Sequence, residues 1–148
     1  MAREGVMGKI NWRRVFLGGL VAGVVFNVVG IVLGALLFGE GELERALRGC
    51  PGPLPPRTGA VLFFLVATIV AGIIVVWWYA AIRPRFGPGP QTALLAGFAL
   101  WLTGGVYQDI VYGYIVGHFP ISLLLRLVSV HLVMSVAGTV AGAWSYKE

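Results

Sequence analysis

Four long apolar runs, separated by short polar segments, dominate the sequence. They cover residues 15–38, 60–82, 93–116 and 121–144. Each run is long enough to cross a hydrocarbon core of about 30 Å as an α-helix, which needs about 20 residues. The pattern predicts an all-α fold of one domain, residues 1–148. We expect an integral membrane four-helix antiparallel bundle with up-down-up-down topology.

Basic residues are distributed unevenly over the two sides of such a bundle. One side would carry Arg3, Lys9, Arg13, Arg14, Arg83, Arg85 and Lys147. The other side would carry Arg45, Arg48 and Arg57, balanced by Glu40, Glu42 and Glu44. Because Lys and Arg are enriched in cytoplasmic loops, this asymmetry places the N and C termini in the cytoplasm.

Composition supports the membrane assignment and argues against a nucleic-acid partner. Of the 148 residues, 58% are hydrophobic and 11% are charged, which is too little charge to cover a soluble domain. The net charge is +5, but the basic residues lie at the ends of the apolar runs, where they can contact anionic lipid headgroups. The lipid bilayer is therefore the expected partner, and no nucleic acid is expected.

The loop 39–58 is the longest connection. Residues 42–48 predict a short amphipathic helix on the membrane surface, because Leu43 and Leu47 are about one helical turn apart. Prolines between residues 51 and 56 then favour an extended segment. Cys50 is the only cysteine, so an intramolecular disulfide is excluded, and no role is assigned to it.

Two charged side chains in the third and fourth runs predict an intramembrane ion pair. Asp109 lies about as far before the turn at 117–120 as Arg126 lies after it. In antiparallel helices that rise about 1.5 Å per residue, they would meet at the same depth. An isolated charge there would cost several kcal/mol, so we expect them to pair. Such a pair would pin the hairpin, form a proton or ion site that faces a cavity, or lie loosely at the wetted interface.

Polar residues near the middle of the runs predict a midplane polar layer. Its members are Asn27, Thr68, Thr103 and His131. Hydrogen bonds between helices explain such a layer, and a path for a proton or small solute is the alternative interpretation. Gln108 and Tyr112 flank Asp109 and are candidates for lining a ligand site, although Tyr112 also suits the interfacial aromatic belt.

Neither a cofactor nor an enzyme activity is expected. Haem on His131 would need a second axial ligand, and His118 lies near the outer surface, so only a symmetric dimer would supply one. The sequence has no nucleophile–base constellation, no HExxH motif, no metal-ligand spacing and no phosphate-binding loop. We therefore expect no catalytic residue and no metal.

Glycines in the first and fourth runs predict close helix packing. The packing positions are Gly19, Gly23, Gly30, Gly34, Gly138 and Gly142. Small residues four apart on one helical face let helix backbones approach each other in lipid. Part of this face would pack within the bundle, and part would remain for another chain, either a second copy or a foreign subunit.

Three segments carry a resemblance to known proteins. They are residues 10–14 (INWRR), which run into a Gly-rich helix, residues 79–89 (YAAIRPRFGPG) and residues 141–144 (AGAW). Together they resemble a family of small uncharacterised bacterial inner-membrane proteins with four predicted spans. The resemblance implies a multi-pass protein of the bacterial inner membrane, and it implies no activity.

The sequence favours a non-catalytic structural or accessory subunit that associates through its Gly-rich helix faces. It would act as a homo-oligomer or within a larger membrane complex. The alternative is a small homo-oligomeric transporter or channel for a proton, ion or small solute, with Asp109, Arg126 and the midplane polar layer along its path. A haem-binding subunit that uses His131 is the second alternative.

Overall fold

A computed structural model of the chain describes residues 10–49 and 56–146. Over these residues the chain is helical and has no strand. The helices are α1 (Trp12–Leu37), α2 (Glu42–Leu47), α3 (Arg57–Phe86), α4 (Pro90–Val116) and α5 (Ile121–Ser145). All but the short α2 are long and apolar enough to cross a membrane. The prediction of an all-helical bundle with four helices long and apolar enough to span a membrane is confirmed.

The helices extend beyond the predicted apolar runs because polar residues at their ends join them. The side-chain oxygen of Asn11 accepts a hydrogen bond from the N–H of Arg14 at 3.2 Å and so caps α1. At the C-terminal end of α3, the helix continues through Pro84 to Phe86. Pro84 has no N–H to donate to the carbonyl of Ala80, four residues earlier, so this turn lacks one helical hydrogen bond. The N–H of Gly87 closes that turn on the carbonyl of Arg83 at 2.8 Å.

The bundle has a terminal end and a loop end, and the halves next to them are called the terminal half and the loop half. The terminal end carries Asn11, the turn 87–89 and Tyr146, and the N–H of Asn11 donates to the Tyr146 hydroxyl at 3.3 Å. The loop end carries the connections from α1 to α3 and from α4 to α5. The four spans therefore alternate in direction along the chain.

The terminal half is closely packed through glycine. A side-chain carbon at Gly19 of α1 would lie 2.4 Å from Cα of Ile73 in α3. One at Gly142 of α5 would lie 2.7 Å from the carbonyl oxygen of Gly18. These distances leave no room for a larger residue, so backbone packs on backbone. The most deeply buried apolar side chains lie beside these contacts: Val15, Ala22, Phe26, Val75 and Val76.

Toward the loop end, α3 and α4 diverge. α3 approaches the first part of α4, but none of its Cα atoms lies within 8 Å of a Cα in Trp101–Val106 or Asp109–Val116. Those two segments of α4 pack against α5 alone among the other helices described. The divergence leaves a space between α3 and α4, which contains the candidate site.

Several predictions fall outside the described residues. They concern Arg3, Lys9, Cys50, the proline-rich segment 51–55 and Lys147. The helix predicted at 42–48 is present as α2, and its two leucines are partly exposed.

Candidate functional site: a cavity with an aspartate–histidine pair

A cavity of about 980 Å³ fills the space between the diverging helices. Its walls include Phe63 and Thr68 of α3, Gly104 and Gln108 of α4, and His131 and Ser135 of α5. Leu47 of α2 borders it at the loop end, and Phe26 of α1 borders it at depth. Small-molecule sites commonly have volumes of about 300–1,000 Å³ and mostly apolar walls, so this cavity has the size and character of a ligand site.

One wall of the cavity carries an ionisable pair. Nδ1 of His131 lies 2.8 Å from Oδ2 of Asp109. The Asp109 side chain is nearly enclosed at 8% exposure, whereas the His131 side chain is 25% exposed and lines the cavity. Within the described part of the chain, Nε2 of His131 has no hydrogen-bond partner. The imidazole thus partners the buried acid and still has one nitrogen available to the cavity.

The helical form of α4 sets the direction of Asp109. From Trp101 onward α4 is mainly π-helical, in the segments Trp101–Val106 and Asp109–Val116. A π-helix closes i→i+5 hydrogen bonds, so it is wider than an α-helix and changes which residues face a neighbour. π-helical turns are frequent at functional sites. Gly105 lets α5 come close, because a side-chain carbon there would lie 2.9 Å from Cβ of His131.

The predicted Asp109–Arg126 ion pair is wrong. Arg126 binds Glu42 with both terminal nitrogens, and the contact from Nη1 to Oε2 measures 3.0 Å. The prediction considered the depth of the two residues along their helices, but not the direction in which each side chain points around its helix. Arg126 and His131 are five residues apart on α5, which places them about 140° apart at 3.6 residues per turn. Arg126 therefore faces the end of α1, and His131 faces α4.

The Arg126–Glu42 ion pair fastens α2 to the bundle. No Cα of α2 lies within 8 Å of a Cα in another described helix, so side chains hold it in place. Nη1 of Arg126 also donates to the carbonyl of Leu37 at 2.9 Å. The hydrogen bond from Arg126 holds the pKa of the Glu42 carboxyl below its ordinary value of 4.5, and a hydrogen bond from the N–H of Gly39 acts in the same direction.

The predicted midplane polar layer is divided into separate contacts. The amide nitrogen of Asn27 donates to the Thr68 hydroxyl at 2.8 Å and to the carbonyl of Gly23 at 2.8 Å. This contact ties α1 to α3, as interhelical hydrogen bonding predicts. Thr103 is exposed and donates within its own helix, to the carbonyl of Ala99 at 2.8 Å. His131 bonds to Asp109 and not to the other three residues.

The packing glycines lie mostly inside the chain. Gly19 and Gly23 pack on α3, and Gly138 and Gly142 pack on α1. A side-chain carbon at Gly30 would lie 2.9 Å from Sδ of Met134, whereas one at Gly34 would meet no described atom within 4 Å. The glycine stripe of α1 is therefore used within the bundle, except at its loop end.

Of the two residues predicted to line a ligand site, only Gln108 borders the cavity. Gln108 lines the cavity, and its side chain makes no hydrogen bond within the described residues. Tyr112 is 63% exposed and does not border the described cavity. Sequence reasoning missed Trp101, whose indole N–H donates to the carbonyl of Val128 at 2.9 Å. Its position inside an apolar run gave no signal for this bond.

Comparison with known proteins does not identify the chain. No protein-family model, no curated protein and no solved structure matches it. Across residues 10–49 and 56–146, no three His, Cys, Asp or Glu side chains cluster in a way that would hold a metal ion. The resemblance to four-span bacterial inner-membrane proteins stays a prediction. The function must therefore be inferred from the geometry of the cavity and of the Asp109–His131 pair.

Proposed function

We propose that the chain is a non-catalytic membrane protein that binds a small molecule in the cavity between α3 and α4. The Asp109–His131 pair is its polar anchor. The observation that carries the proposal is a nearly enclosed carboxylate bonded to an imidazole on the cavity wall. Ionisable residues are costly inside a membrane, and they mark ligand sites and proton pathways more often than packing positions.

The pair can offer either a donor or an acceptor to a ligand. When the pair holds one proton, Nδ1–H donates to the Asp109 carboxylate and Nε2 of His131 accepts. A second proton converts Nε2 into an N–H donor. Either a hydroxyl or a carbonyl group in the cavity is therefore matched by one protonation state of the pair.

A scaffold that assembles through glycine faces has less support from the structure. The glycines on which that role depends contact other helices of the same chain, with Gly34 the exception. Packing of α1 on α3 and α5 explains why those positions are small. A purely structural role also gives no reason for a cavity with a protonatable wall.

Proton-linked transport is the second candidate, favoured by the close helix packing that bounds the cavity on one side. The cavity reaches Ser135, but Gly97 and Thr139, which pack together beside it, do not line it, so close packing bounds the cavity on the side of the terminal end. A carrier that alternates between two open states needs such a one-sided conformation. In liposomes, a carrier should lose pH-dependent flux of its ligand on Asp109→Asn, whereas a binding protein should show no flux in either form.

We also propose a bacterial inner membrane as the location, with both termini in the cytoplasm. Arg13 and Arg14 precede the buried part of α1, and Arg83 and Arg85 lie in the last turn of α3 at the same end of the bundle. An excess of Lys and Arg is typical of the cytoplasmic side. Protease protection of tags at the two termini in oriented vesicles would test this orientation.

Small molecules that co-purify with the protein test the binding function. The wild type, the double variant Asp109→Asn/His131→Leu and the control Thr103→Val would be extracted with surrounding lipid and analysed by mass spectrometry. The double variant leaves no unpaired acid, and Thr103 bonds only within its own helix. We expect one species that the wild type and Thr103→Val retain about tenfold more than the double variant, a ratio typical of losing a charge-assisted hydrogen bond. Identical contents in all three proteins would refute the proposal.

A further inference from the structure

We infer that the ligand is a neutral, lipid-soluble molecule with an oxygen-bearing head and an apolar tail, the chemistry of a quinone or quinol. It would reach the cavity sideways from the bilayer, between α3 and the π-helical part of α4. This inference rests on the proposed binding function. It adds the chemical class of the ligand and its route.

The route follows from the separation of the helices. The π-helical segments of α4 make no close approach to α3, so the wall that the described residues form is open there. Phe63 lines the cavity and is also 77% exposed, which places the opening on the outer, lipid-facing surface of α3. An opening on that surface admits molecules dissolved in the bilayer.

The neutral charge of the ligand follows from the cavity walls. His131 is the one ionisable residue among the described residues that line the cavity. A phosphate or carboxylate group in the cavity would therefore meet no Lys or Arg to balance it, and an ionised group without a partner is costly at this depth. The carboxylate of Asp109 is nearly enclosed and does not line the cavity, so a cationic ligand would not contact it directly.

The chemistry of the ligand's head group is inferred from the polar groups of the cavity walls that have no hydrogen-bond partner. His131 and Gln108 both line the cavity, and Nε2 of His131 and the carboxamide of Gln108 lack hydrogen-bond partners within the described residues. The Thr68 hydroxyl is already engaged, since it accepts from Asn27 and donates to backbone carbonyls. A ring with two oxygens suits two such groups, because each oxygen accepts as a carbonyl or donates as a hydroxyl. The other walls are mainly apolar and suit the ring and the first part of a tail.

The test uses the whole chain in phosphatidylcholine vesicles and three synthetic probes. The first is decyl-trimethyl-benzoquinone, whose fully substituted ring resists addition by Cys50. The second is decyl-trimethylbenzene, which has the same tail and no oxygen. The third is trimethyl-benzoquinone with a sulfonate in place of the tail. Probe retained per chain, above protein-free vesicles, would be measured by mass spectrometry.

We expect saturable binding of the decyl quinone, about tenfold tighter than binding of the decyl hydrocarbon, and no binding of the sulfonate. Gly104→Leu should abolish the binding by filling the cavity, because a side-chain carbon at Gly104 meets only a leucine methyl at 3.8 Å. Gly34→Leu is the matched control and should bind like the wild type, since it adds the same side chain where no described atom lies within 4 Å.

Three results would overturn the inference. They are equal retention of the decyl quinone and the decyl hydrocarbon, preferential binding of the sulfonate, or unchanged binding in a folded Gly104→Leu protein. The probe comparison uses the wild type alone, so it decides the matter even if that variant does not fold. A charged or water-soluble species found by co-purification would overturn the ligand class and leave the binding function standing. If no species is enriched by co-purification and the decyl quinone does not bind, both the binding function and the ligand class are refuted.

Discussion

The two halves of the bundle use glycine in opposite ways. In the terminal half, Gly19 and Gly142 bring backbones into contact and close the space between helices. In the loop half, Gly104 borders the cavity, and Gly105 admits the His131 side chain between α4 and α5. The same residue type therefore removes volume in one half and makes room for a polar side chain in the other. What differs is whether the glycine itself lies in a regular α-helix or in a π-helical segment.

The largest effect is expected from filling a closed contact in the terminal half. Gly19→Leu would place a side chain against the backbone of Ile73, where even Cβ would lie 2.4 Å from Cα. We expect a loss of unfolding free energy of about 3 kcal/mol or failure to fold, because overpacking against backbone is poorly relieved. Thermal unfolding in detergent, followed by circular dichroism, measures it. Gly34→Leu should unfold like the wild type, and equal losses in both variants would contradict the contrast between the halves.

The next largest effect is expected from breaking the ionisable pair on one side only. His131→Leu leaves the Asp109 carboxyl buried without its partner and should cost about 3 kcal/mol of unfolding free energy. Asp109→Asn keeps an acceptor for Nδ1 and should cost about 1 kcal/mol.

A double-mutant cycle with Asp109→Leu isolates the interaction within the pair. The double variant Asp109→Leu/His131→Leu should be more stable than His131→Leu alone, since no buried acid remains. A loss in the double variant equal to the sum of the losses in the two single variants would show that the two side chains do not depend on each other.

A smaller effect is expected from the hydrogen bond that ties α1 to α3. Thr68→Val removes the oxygen that accepts from Asn27 and should cost about 0.6–1 kcal/mol, the usual range for a polar contact between membrane helices. Thr103→Val is the matched control, because its hydroxyl bonds only to its own helix. Steric trapping or denaturant titration measures the difference, and a larger loss in Thr103→Val would refute the assignment.

The smallest effect on the fold is expected at α2, and it depends on pH. Arg126 lowers the pKa of Glu42, so the ion pair contributes stability above pH 4.5 and loses it as pH falls through that lowered pKa. We expect α2 to stay docked at pH 4.5 and to detach at lower pH.

A spin-label distance between positions 43 and 121, in a Cys50→Ser background, would follow this change. Glu42→Gln should broaden the distance distribution at every pH, because the neutral amide keeps less of the attraction to Arg126. A distribution that narrows as pH falls would contradict the role of the ion pair.

The sequence predicted contacts correctly where both helices are regular α-helices. Asn27 and Thr68 meet at the expected depth because both lie in α-helices with constant rise. The glycine spacing of α1 predicted backbone contact for the same reason. Depth alone misplaced Arg126, since a residue's direction around α5 also decides its partner.

No pattern in the third apolar run predicts that part of α4 is π-helical. Gly104, Gly105 and Gly113 weaken the preference for an α-helix there, but glycine is also common in ordinary membrane helices. The Asp109–His131 bond depends on that local geometry together with the close approach of α5. The cavity depends in addition on where α3 stops contacting α4, which is a property of the assembled bundle.

The indole of Trp101 sits where α4 changes from one helical form to the other. Its bond to the Val128 carbonyl joins two neutral groups, so neither acid nor salt weakens it. This junction therefore stays attached to α5 whatever the number of protons on the aspartate–histidine pair. We therefore expect any rearrangement that a proton or a bound molecule causes in α4 to begin after residue 101.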